Sequence, residues 1–102
     1  MQSKHLRFSI LLEMWKKETQ FVSSSSVIVN NASYQEIIKM GKDIVPFIIK
    51  DLKKNQNNPR FWFPALQAII GDGPTIPKDV RGNMPEIARI WILWIEKKCP
   101  LL

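Results

Sequence analysis

Few side chains here are equipped for chemistry. One histidine, His5, and one cysteine, Cys99, supply the only imidazole and thiol among 102 residues, beside nine carboxylates. Nucleophilic catalysis needs a base within hydrogen-bond reach of the nucleophile, and acid–base catalysis needs groups converging in a cleft. His5 stands at the fraying start of the first predicted helix. Cys99 stands beside Pro100 with no base near it in sequence, which suits an inert thiol. Asp72 and Asp79 could bind a cation, but their spacing fits no calcium loop, and turn-forming aspartates account for them. Gly71-Asp72-Gly73 lacks the lysine that a phosphate-binding loop requires. The sequence therefore predicts no catalytic residue, no metal site, no cofactor and no enzyme.

Charge suggests binding instead. The chain carries a formal +6, and between Lys39 and Arg60 six basic residues (Lys39, Lys42, Lys50, Lys53, Lys54 and Arg60) face only Asp43 and Asp51, so this stretch holds +4 of the excess. Such a run could meet nucleic-acid phosphates. Phe61, Trp62 and Phe63 follow it at once, and aromatics beside basic residues can stack on unpaired bases. The competing reading places those three rings in the core, because the segment they open is dense in apolar residues.

These residues need a scaffold, and the pattern predicts one all-α domain over 1–102. Its form is a compact bundle of about five helices with one long loop before the last. Hydrophobic residues at 45% and charged residues at 24% fit a globular chain, and a single core suffices for this length. No apolar run is long enough to span a membrane, so no membrane partner is expected. Lys4, His5 and Arg7 ahead of an apolar patch echo a secretory leader, yet charged residues follow with no small-residue cleavage site, and the segment reads as a helix start. A single cysteine permits no internal disulfide, which fits a reducing cytoplasm.

The first helix runs from about Ser3 to Gln20, with Phe8, Leu11, Leu12 and Trp15 on one face. Ser23 to Ser26 reads as a loop, and Val27 to Val29 as an apolar loop or a helical turn. Ser33-Tyr34-Gln35-Glu36 has the S-x-x-E form of a capping box, so a short helix starts at Ser33 and stops at Gly41. A third starts near Asp43, tolerates Pro46 in its first turn, and buries Val45, Ile48, Ile49 and Leu52. Phe61 to Ile70 forms a fourth, ended by Gly71. From Asp72 to Gly82 the glycines and prolines enforce a loop whose length hints at function. Asn83, with Glu86 three residues on, caps a last helix striped by Ile87, Ile90, Trp91 and Trp94 and ending near Lys98.

Ser33 to Gly71 has the texture of a HEAT-type repeat, a helical hairpin that buries one face and offers another to a macromolecule. In finer detail Tyr34-Gln35-Glu36-Ile37-Ile38-Lys39-Met40-Gly41, Val45-Pro46, Trp62-Phe63 with Ala65-Leu66, and Trp91 with Trp94 resemble a family of small uncharacterised bacterial helical proteins. That resemblance implies a bacterial cytoplasmic protein encoded beside a partner, and it implies no activity. The reading that results is a protein-interaction module (adaptor, inhibitor or assembly subunit) serving a larger protein. Asp72, Pro74, Pro77 and Arg81 of the loop would meet that partner together with Trp94, because four tryptophans exceed what a small core needs. The alternative is a nucleic-acid-binding accessory protein using the Lys39–Arg60 region.

Overall fold

Ser3 opens the fold as its type predicts: its Oγ accepts a hydrogen bond from the Leu6 N–H at 3.0 Å and caps a helix, α1, over Lys4–Thr19. A computed structural model describes residues 3–98, and Cys99 lies outside them. Five further helices follow: α2 (Ser25–Asn30), α3 (Ala32–Lys39), α4 (Val45–Lys54), α5 (Phe63–Ile70) and α6 (Met84–Lys98). No strand occurs among the described residues, so the all-α class holds, with six helices where the pattern predicts about five. Nor is any described helix long and apolar enough to cross a membrane.

The additional helix is α2. Of the two readings open for Val27 to Val29, the helical one is correct, and the helix also takes in Ser25 and Ser26, which the sequence assigns to a loop. Its carbonyls are held from outside: Trp15 Nε1–H donates to the Ile28 oxygen at 3.2 Å, and the Gln35 amide donates to the Val29 oxygen at 2.8 Å. Tertiary bonds thus stabilise a six-residue helix that local propensity would not.

Two caps differ from expectation. Asn31, not Ser33, caps α3, since its Oδ1 accepts from the N–H groups of Ser33 at 2.9 Å and Tyr34 at 3.2 Å. The Ser33 hydroxyl instead donates to Glu18 at 3.1 Å, tying α3 to α1. Glu36 completes no capping box and faces Arg7 and Lys39. Asp43 likewise caps nothing; it lies in a 3-10 turn over Lys42–Ile44 and pairs with Lys4. Gly41 enters that turn at φ 80, a positive φ that suits glycine, but with ψ -162 rather than in the left-handed helical conformation predicted for it.

Packing converges on Trp62, which is fully buried. Its ring lies 5.7 Å from Phe8, 4.8 Å from Trp15 and 6.0 Å from Tyr34, while its Nε1–H donates to Asp51 Oδ2 at 2.8 Å. One side chain therefore joins α1, α3 and α4. Tyr34 sets where α5 begins. Its hydroxyl donates to the Phe61 carbonyl at 2.9 Å and accepts from the Ala65 N–H at 3.0 Å. The Trp62 carbonyl then takes the first helical bond, from Leu66 at 2.9 Å, so α5 starts at Phe63 rather than at Phe61. Gly71 ends it in the left-handed region, as predicted.

Asn83 Oδ1 accepts from the Glu86 N–H at 3.2 Å and starts α6 as expected. The buried face of α6 is Ala88, Trp91, Ile92 and Ile95, one residue away from the predicted stripe; Ile87, Ile90 and Trp94 are half-buried flanks. Isoleucines at 87, 90, 92 and 95 and Leu93 surround the axis, so periodicity alone does not select a face. On α1 the opposite problem arises. Besides its buried Phe8, Leu11 and Trp15, it carries Leu6, Ile10 and Met14 on the outer side, each between 42% and 49% exposed, and Phe21 just beyond its end is 93% exposed.

Candidate functional site

The four tryptophans are not surplus. Trp15, Trp62 and Trp91 are buried, and only Trp94 reaches solvent, half-covered, so the expectation of several surface tryptophans is corrected to one. Trp94 stands edge-on to Trp91 with ring centroids 5.6 Å apart, which fixes its plane. It walls a cleft of about 350 Å³ with Val45, Ile70 and Ile95 as further apolar lining and Lys42, Asp72 and Lys98 at the rim. That volume suits a small ligand or one anchoring side chain.

Rim geometry gives the cleft its polarity. Lys98 Nζ lies 3.7 Å from Asp72 Oδ2 and 5.2 Å from the centroid of the Trp94 ring, over its face. Both members of that ion pair are more than half exposed, so the pair contributes little and yields readily to a competing carboxylate. Lys42 has no ion-pair partner among the described residues. The rim thus carries two ammonium groups against one carboxylate above an apolar floor.

Of the predicted partner-binding residues, Asp72 and Trp94 meet in this cleft. Pro74 is half-buried, while Pro77 and Arg81 are exposed and line no part of it. The loop is less open than its composition suggests. A short 3-10 turn forms over Lys78–Val80, Ile76 packs on the core, and Gly73 sits against α6. A Cβ at Gly73 would fall 2.6 Å from Gln67 Oε1 and 2.7 Å from the Trp91 ring, which is buried and has nowhere to move. Gly73→Ala is therefore expected to cost about 1–3 kcal/mol, read as a lower midpoint in chemical denaturation. An unchanged midpoint would mean that the loop swings away freely.

The basic residues do not form one surface. Lys39 lies on α3 beside Glu36, Lys42 belongs to the Trp94 cleft, and Lys53 pairs with Glu96 at 2.7 Å. Arg60 is mostly covered, with its Nε 3.7 Å from Asp51 and no hydrogen-bond partner for that nitrogen among the described residues. Lys50 and Lys54 remain exposed and without ion-pair partners among the described residues. Trp62 and Phe63 are buried and Phe61 half-buried, so the aromatics expected beside the lysines belong to the core, as the competing reading held.

Sequence reasoning missed Lys98 and the apolar lining of the cleft, because these come from α4, α5 and α6 and no local motif joins them. Among the described residues no three histidines, cysteines, aspartates or glutamates come together in a way that would hold a metal ion. Comparison of the chain with protein-family models, curated proteins and solved structures finds no match.

Proposed function

We propose that this chain is a small helical protein-interaction module, an adaptor, inhibitor or assembly subunit, that docks a larger protein through the Trp94 cleft. The observation carrying this reading is the cleft itself: one half-exposed tryptophan on a rigid helix, a floor of Val45, Ile70 and Ile95, and a cationic rim. Tryptophans that a partner desolvates on docking dominate interface energies. The HEAT-like texture of Ser33 to Gly71 and the resemblance to small bacterial proteins suit a cytoplasmic module encoded near its partner. An apolar side chain flanked by a carboxylate is the anchor that fits, displacing Lys98 from Asp72 while Lys42 approaches from the other side.

Trp94→Ala tests the reading. Because the side chain is half-buried, its loss is expected to leave the fold intact while removing, from affinity purifications in the native host, the proteins that the wild-type chain retains. Lys98→Glu should do the same without touching the core. Identical recovery of every partner by both variants, with unchanged melting curves, would sink the proposal.

A further inference from the structure

We infer that the groove between α1 and α4, together with the amide-lined trough beyond it, is a track for single-stranded nucleic acid, separate from the Trp94 cleft. The lysines do adjoin aromatic side chains, but those are His5 and Phe47. The His5 ring lies 4.9 Å from the Phe47 ring, which in turn lies 5.7 Å from Phe8, and these rings floor a groove of about 470 Å³. Phe8 is buried and holds the others in place; Phe47 is half-buried and His5 exposed, so both offer ring surface. Lys50 and Lys54, one helical turn apart on α4, stand at the edge of this groove. Rings that take bases and ammonium groups that take phosphates are the two components such binding needs.

The groove does not end at α4. Lys54 also borders a trough of about 560 Å³ lined by Lys53, Gln56, Asn57, Asn58 and Arg60. Gln56, Asn57 and Asn58 are exposed, and their amides both donate and accept, as base edges require. Asp51 also lines the groove but turns its carboxylate to Trp62 and Arg60, and Glu96 pairs with Lys53, so the cations of the track without an ion-pair partner among the described residues are Lys50 and Lys54. Duplex DNA or RNA cannot present base faces to Phe47, and a uniformly acidic polypeptide such as polyglutamate would engage the lysines but stack nothing on the rings. The observations thus favour an unpaired strand.

Fluorescence anisotropy of the intact protein with a labelled oligothymidylate of about 15 nucleotides tests this. Binding is expected to weaken steeply between about 50 and 200 mM salt, and Lys50→Gln with Lys54→Gln should lower the slope of log affinity against log salt by about 1.4. Phe47→Leu, which keeps an apolar side chain against Phe8, should weaken binding about tenfold with little change in that slope. His5→Ala, fully outside the core, gives a second ring variant that keeps its melting midpoint. Absence of binding at the lower salt would overturn the inference. So would equal affinity for a duplex or for polyglutamate with both ring variants silent.

Discussion

Trp62→Ala is expected to lower the melting midpoint by on the order of 20 °C. The indole is fully buried among Phe8, Trp15 and Tyr34, so its removal leaves a cavity bounded by three helices that cannot all close in. Large-to-small changes of that kind cost about 3–5 kcal/mol, a major fraction of the stability of a small domain. A second cost adds to it, because Asp51 loses the donor that holds its carboxylate at 2.8 Å. Trp62→Phe separates the two effects, retaining most of the bulk while removing the indole N–H; it should fall between wild type and alanine. A midpoint for Trp62→Ala within about 5 °C of wild type would show that the helices do not converge on this residue.

Tyr34→Phe is expected to destabilise by about 1–3 kcal/mol although it deletes one oxygen. That oxygen serves both the Phe61 carbonyl and the Ala65 N–H, and Ala65 is buried beyond the reach of water. Burial also pushes the phenol well above its ordinary value, more than the Ala65 hydrogen bond lowers it. Below pH about 10 folded and unfolded chains both hold the proton; above it the unfolded chain releases it while the folded chain does not. Stability therefore drops as pH rises past that point, and less steeply in Tyr34→Phe. Tyr34 is the only tyrosine of the chain, so tyrosinate absorbance reports on it alone. The expected trace stays flat until unfolding and then rises with loss of helical signal. Smooth ionisation of a still-folded protein would contradict the buried bridge.

Positions governed by their nearest neighbours were readable in advance. Ser3 and Asn83 cap as their types predict, Gly71 takes the left-handed backbone, and Val45, Ile48, Ile49 and Leu52 form the buried stripe of α4. Positions governed by distant partners were not. Asn31 displaces Ser33 as a cap because Glu18, on another helix, engages the serine, and α2 depends on Trp15 and Gln35 for its stability. The face α6 buries was hidden by apolar residues all around it. Trp94 and Asp72, both singled out in the sequence, do meet in one cleft, yet that cleft is completed by Lys42, Val45 and Lys98, up to 56 residues apart in the chain. The same holds for His5, which no local pattern links to Phe47, Lys50 and Lys54.

The outward strip of Leu6, Ile10, Met14 and Phe21 bears on how the molecule behaves in bulk. Two copies meeting there would gain from dehydrating it, and what opposes them is mutual repulsion between bodies of +6 charge. Added electrolyte shortens that repulsion to about 8 Å at physiological ionic strength and about 3 Å at 1 M, while leaving the attraction between greasy surfaces in place. Approaching the isoelectric point near 9.7 removes it at the source. Clarity of a concentrated sample is accordingly set by buffer composition: dilute, mildly acidic media keep particles apart, and salty alkaline ones bring them together.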